Sequence, residues 1–152
     1  MKKLYTLGLT ILSLTLINVS CGKEEVVEAA PDNIIGSWRI YSVTDSNLQP
    51  IIWEELKSAL VELVPSYECF SFTCTASENA VTTIYTFINE NSTGCLAPVT
   101  KTYSWSKDAS GTYDFVLGTT VINYTITYSN DNNRMTWRDQ LSGAISVWDR
   151  VQ

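Results

Sequence analysis

Between residues 34 and 151 the chain breaks into eight short runs, most of them alternating apolar and polar residues. Each run is closed by a cluster rich in Gly, Pro, Asn, Asp or Ser. Successive side chains of a strand point to opposite faces, so each alternating run has one apolar face and one polar face. Eight such runs at near-regular spacing, joined by short turns, predict an antiparallel meander. A meander of this size protects its edges by closing on itself. The predicted fold is therefore all-β: an eight-stranded up-and-down barrel over residues 34–152. The runs are 34–44, 68–75, 81–88, 99–106, 112–117, 121–128, 134–140 and 144–151. The clearest alternation sets Val99, Lys101, Tyr103 and Trp105 against Thr100, Thr102, Ser104 and Ser106.

Between the first and second runs the period changes. Ile52, Trp53, Leu56, Leu60, Leu63 and Val64 fall on one helical stripe. Asp45-Ser46-Asn47 can cap this helix, Pro50 suits its first turn, Glu54 and Glu55 suit its positive end, and Pro65 stops it. One helix between strands one and two, packed at a barrel end, is the expectation.

The 152 residues suffice for one domain with a real core. Ten basic residues stand against 16 acidic ones, and removal of residues 1–20 leaves eight against 16, a net of −8. So acidic a body repels phosphate backbones, which argues against nucleic acid as a partner. The chain has no histidine and so lacks the commonest general base and neutral metal ligand.

The N-terminus reads as an address. A basic Met1-Lys2-Lys3 precedes an apolar stretch, Leu4 to Ile17, too short for a comfortable membrane span. Asn18-Val19-Ser20-Cys21-Gly22 follows and resembles a bacterial lipobox, although Asn18 stands where leucine is usual. That resemblance implies a signal peptide over 1–20, lipidation (diacylglycerol and palmitate type) at Cys21, and an outer-membrane lipoprotein of the cell envelope. Lys23-Glu24-Glu25 is similar to a surface-export signal, so display on the surface and a periplasm-facing anchor stay open. Residues 21–33 are an acidic flexible tether.

With Gly36-Ser37-Trp38 on the first strand and Trp148-Asp149-Arg150-Val151 on the last, the barrel resembles the lipocalin-like domains of Bacteroidota lipoproteins. The resemblance implies that Trp38, with Gly36 beside it, closes one barrel end under an arginine. Arg150 is the first candidate and Arg138 the second. These residues would be structural, and the chain lacks the C-terminal helix of larger lipocalins.

In an oxidising compartment Cys69, Cys74 and Cys95 allow one disulfide. Cys74–Cys95 is the first expectation and Cys69–Cys95 the next. No Cys-Xaa-Xaa-Cys pair supports redox catalysis, and three cysteines without histidine make a poor zinc site.

The sequence marks no catalytic residue, metal site or cofactor. Its Ser and Thr residues lack a histidine to activate them, and phosphate-binding glycine loops are absent. Asp139 and Asp149 on late strands could form a carboxylate pair, but solvated face residues explain them more simply. Asn130-Asp131-Asn132-Asn133 lacks EF-hand spacing and reads as a turn. A binding barrel is the first functional reading, set against the plainer one that its inward side chains simply fill the interior. Tyr85, Phe87, Tyr103, Trp105, Phe115, Tyr124, Met135 and Trp137 would line it, the 51–64 helix would gate it, and a small lipophilic ligand would be its partner. The alternative is a ligand-free accessory or protein-interaction module with a filled barrel, presenting aromatics such as Tyr41 and Trp53. An enzyme is the least supported reading.

Overall fold

The computed structural model describes residues 31–152 apart from 46, 90 and 92. The expected signal peptide over 1–20, the expected lipidation at Cys21 and residues 21–30 of the expected tether lie outside the described residues.

Nine strands are described: β1 (Gly36–Thr44), β2 (Pro50–Ile52), β3 (Ser71–Ala76), β4 (Ala80–Thr86), β5 (Val99–Lys107), β6 (Thr112–Leu117), β7 (Thr120–Ser129), β8 (Arg134–Asp139) and β9 (Ile145–Arg150). From β3 to β9 each strand pairs antiparallel with the next, and β1 pairs with both β3 and β9. Trp38 lies opposite Arg150 and Val43 opposite Ser146, so the sheet closes. Eight strands form the barrel wall. The three-residue β2 is an addition, pairing with the upper part of the β1 edge whose lower part pairs with β3. Closure leaves no long free edge to recruit other chains.

Helix α1 (Trp53–Leu63) follows β2, and a short 3₁₀ helix (Pro65–Cys69) leads from it into β3. The helix begins later than its expected cap: Pro50 opens β2 instead of the first helical turn. The Asp45 side chain accepts bonds from the Asn47 and Gln49 N–H groups and so shapes the turn before β2. Of the expected stripe only Trp53 is fully buried, and Leu63 is 79% exposed. The helix is thus held through its first residue. Its far end stays largely on the surface. The second predicted strand also starts late, because residues 65–69 turn as 3₁₀ helix.

Alternation places one face of every strand inward, with one shift. The pairing of β1 with β9 slips by one residue between Ile40 and Ser42. Below this bulge Trp38 and Ile40 point inward. Above it the inward position passes to Val43.

The interior divides by height. At the end where β1 starts and β9 finishes, the side chains close-pack: Ile34, Trp38, Val81 and Met135 are fully buried, and Tyr113, Cys74 and Ala76 nearly so. Residues 32–35 cross beneath this end. The Trp38 Nε1–H donates to the Ile34 carbonyl at 2.8 Å. The Arg150 guanidinium lies 4.1 Å over the Trp38 ring and donates to the carbonyls of Asn33 (2.8 Å), Ile35 (2.9 Å) and Asn132 (3.2 Å). A cation on an indole face contributes about 0.5–2 kcal/mol. Gly36, at φ +140°, is required beside it, since a Cβ there would run into the guanidinium. Arg138 is exposed on β8 and takes no part. Asn130, Asp131 and Asn132 all adopt left-handed backbone, which short polar side chains tolerate, and this turn supplies two carbonyls to Arg150.

Asp32 ties the same end together. It accepts from the Tyr113 hydroxyl at 2.7 Å and from the Ile34 N–H at 3.0 Å, and pairs with Lys107 at 2.9 Å. Burial by itself would raise its pKa. The Ile34 N–H, the Tyr113 hydroxyl and Lys107 outweigh that and hold the carboxyl below its usual range. Burial also raises Tyr113 and Tyr128, so both phenols stay protonated and available as donors.

Candidate functional site

At the other end the barrel is hollow. A cavity of about 630 Å³ lies between the upper halves of the strands, within the range that holds one small ligand. Ten of its fourteen lining residues are aromatic, and Lys101 carries the one charge among them.

The rings form a continuous path from floor to mouth. Tyr124 of β7 packs on Phe115 of β6 at 5.0 Å, and Phe115 meets Trp137 of β8 edge-on at 5.1 Å. Trp137 lies 5.0 Å from Trp148 of β9, which meets Phe72 of β3 at 4.8 Å. Phe72 leads to Tyr85 of β4 (5.9 Å), then Phe87 (5.3 Å), Phe70 (5.6 Å) and Trp53 of α1 (4.4 Å). The path crosses strands because aromatics occupy facing or diagonal register positions: Phe72 lies opposite Tyr85, while Tyr124 and Trp148 lie two residues from the partners of Phe115 and Trp137. Val43, Thr83, Tyr103 and Ser146 complete the wall with Lys101. Burial, with the nearby Asp139 charge, pushes the Tyr124 phenol up to about 12, so it is a neutral hydrogen-bonding group at pH 7.

Six of the eight expected lining residues stand on this wall: Tyr85, Phe87, Tyr103, Phe115, Tyr124 and Trp137. Trp105 and Met135 do not. Trp105 donates to the Ser77 carbonyl at 2.8 Å and packs 5.7 Å from Tyr113, in the sealed end. Met135 is fully buried beneath the cavity, its sulfur accepting the Trp137 Nε1–H at 3.1 Å. Both point inward, but too low. A period of two identifies the face of a strand and says nothing of height along the barrel axis.

The sequence reading missed Trp53, Phe70, Phe72, Trp148 and Lys101 as lining. Phe72 and Lys101 had a usable signal, since each shares a strand face with aromatics. Trp53 was expected among exposed aromatics and is instead buried in the cavity wall. Tyr41, the other, is half-buried under the Arg134 guanidinium at 3.9 Å.

The mouth is stapled. The disulfide joins Cys69, at the end of the 3₁₀ helix, to Cys95 in the β4–β5 loop. This corrects the expectation of Cys74–Cys95: Cys74 is a free, buried thiol on β3, opposite Trp38 in the sealed end. Burial pushes that thiol up to about 12, far from reactive. The bond sets Phe70, the next residue, beside Phe87 on the loop's rising limb. An Ile88–Cys95 bridge and the Leu96 N–H to Phe87 carbonyl bond narrow the loop further.

Asp139 and Asp149 are not brought together. Asp149 pairs bidentately with Arg134 (2.6 and 3.0 Å), whereas Asp139 caps the turn after β8 at the opposite end of its strand. Among the described residues no group of three His, Cys, Asp or Glu side chains could hold a metal ion.

No family model matches the chain, and no curated protein matches it. Among solved structures it is similar to lobster apocrustacyanin A1, with a TM-score of 0.41 and 11% identity over 78% of this chain. The match covers 61% of that protein, so the chain spans about three fifths of its length. By its own topology, eight antiparallel strands in sequence order closed first to last with one helix after the first, the barrel is lipocalin-like.

Proposed function

We propose that this chain is a cell-envelope lipoprotein whose barrel holds a small hydrophobic ligand. The observation that carries the binding half is the contrast within one barrel: a sealed, close-packed end and a 630 Å³ aromatic hollow at the other. A barrel serving only as a platform has no physical reason to keep a ring-lined hollow with Phe87 44% exposed at its mouth, since filling the hollow would add apolar burial and stability. The lipobox resemblance at Cys21 supports the envelope half, and a lipid at that cysteine would anchor the domain through the tether.

Native mass spectrometry and thermal-shift measurements with a panel of lipophiles test the binding half. A retained ligand or an upward shift supports it, and an unresponsive protein refutes it. Mass analysis of the mature N-terminus, with Cys21→Ala as control, tests the anchor. A diacylated Cys21 lost in the variant supports it, and an unmodified cysteine refutes it.

One observation favours the accessory-module reading. Loops at the hollow end carry exposed apolar side chains, among them Leu48, Leu96, Leu117 and Leu141, the last 98% exposed. In-cell crosslinking from positions 117 and 141 tests it. Discrete crosslinked species together with a ligand-unresponsive cavity would favour the module over the carrier.

A further inference from the structure

The cavity wall also carries a selectivity signal, and reading it rests on the cavity being a ligand site. Lys101 occupies an inward position of β5, between Val99 and Tyr103 on the strand's apolar face and opposite Thr83. Lys101 is exposed toward the open end of the barrel, so its charge stays hydrated while its position faces the hollow. The described ion pairs are Lys107–Asp32 and Arg134–Asp149, and neither involves Lys101. Its ammonium lies 5.9 Å over the Tyr85 ring. The wall contains no carboxylate to meet it, although the whole chain carries 16 acidic residues against ten basic ones. A cation with no carboxylate partner on an aromatic wall is complementary to an anion.

The remaining wall speaks to shape. Val43 is the one aliphatic side chain among fourteen, against ten rings. Rings offer flat faces and edges for offset-stacked or edge-on contact, which reward a flat partner more than a flexible chain. Ordering a long acyl chain would also cost rotamer freedom that a rigid ring system has already given up.

We infer that the cavity selects flat, singly anionic aromatic molecules, with the ring system laid against the wall of Trp137, Trp148 and Phe72 and the anionic group at Lys101. Thr83, on the facing strand position, is within the same wall to donate a hydroxyl to that group. A cationic ligand finds no counter-charge there, and a neutral one leaves the lysine unused.

The test compares pyrene-1-carboxylate, pyrene-1-methanol and palmitate on the full-length chain. Tryptophan quenching reports the two pyrenes, and displacement reports palmitate. The carboxylate is expected to bind about fivefold more tightly than the alcohol, as a partly solvated ion pair allows. Lys101→Met should abolish that ratio while leaving the alcohol's affinity within about twofold, and Lys101→Arg should restore it. Equal affinities for the two pyrenes, or a ratio that survives Lys101→Met, would overturn the assignment of the anion. Palmitate binding more tightly than both pyrenes would overturn the preference for flat ligands. Each of those failures leaves a binding cavity in place. Silence from all three probes would instead refute the carrier reading itself, and this inference with it.

Discussion

The two ends of this barrel are built from the same strands to opposite specifications. At the sealed end each large side chain has a partner: Trp38 under Arg150, Tyr113 on Asp32, Met135 under the Trp137 N–H. Those residues are almost wholly buried, and the polar groups among them are satisfied by short, specific bonds. At the hollow end the rings touch one another but not a filling. Phe87 remains 44% exposed, and the segment beside it is held by a disulfide rather than by packing. The difference teaches a division of labour. One end supplies the cohesion that lets the other leave apolar surface open.

Four perturbations can break or sharpen that contrast. The largest effect is expected from Trp38→Ala, which empties the centre of the sealed end. A loss of about 3–5 kcal/mol is expected in denaturant unfolding. A loss below about 1 kcal/mol would mean that the sealed end is not where stability resides.

Next is the mouth staple. The disulfide closes a loop with a sequence separation of 26, so Cys69→Ser with Cys95→Ser should cost about 3 kcal/mol through the freed unfolded chain. Amide exchange through local opening should also quicken in residues 87–98 and stay unchanged in β1 and β9 near Arg150. Equal acceleration at both ends would remove the distinction.

A smaller effect belongs to Asp32→Asn, at about 1–2 kcal/mol near pH 7. Its sign with pH follows from the lowered pKa. The native carboxyl contributes stability above its ordinary value of 3.8, and that contribution fades as pH falls through the lower native value. Wild type and variant should therefore converge in acid. Parallel stability curves down to pH 2 would contradict the role given to Asp32.

Phe87→Ala should be mildest for folding, below about 1 kcal/mol, because the ring is half out of contact already. It should nonetheless weaken binding of an aromatic probe several-fold by opening the ring path. A large stability loss with unchanged binding would reassign Phe87 from the cavity to the core.

Much of this architecture was legible in advance, and the reasons are physical. Alternation along the strands marked inward residues such as Tyr103, Phe115 and Trp137, because a sheet with one buried face leaves no other periodicity open. The Arg150 guanidinium over Trp38, for which Gly36 leaves room, was suggested only by a family resemblance and by no local pattern. Less could be read where the chain departs from a regular strand. The expected strand over 68–75 placed Cys69 and Cys74 on one continuous run, but Cys69 sits on a 3₁₀ turn, and this turn delivers it to Cys95. The β1 bulge passed the inward position to Val43, and no spacing rule announces a bulge.

What the sequence determined by itself was local and periodic: which runs are strands, which side each residue faces, and where the turns fall. These follow from steric preference and from apolar side chains seeking one face. Tertiary structure decided everything that depends on height and closure. Strand tilt and register set Trp105 and Met135 in the sealed end and brought Phe72, Tyr85 and Trp148 together above them. Those distances are fixed only when the first and last strands meet, because a barrel's shear is a property of the closed sheet and of no single strand.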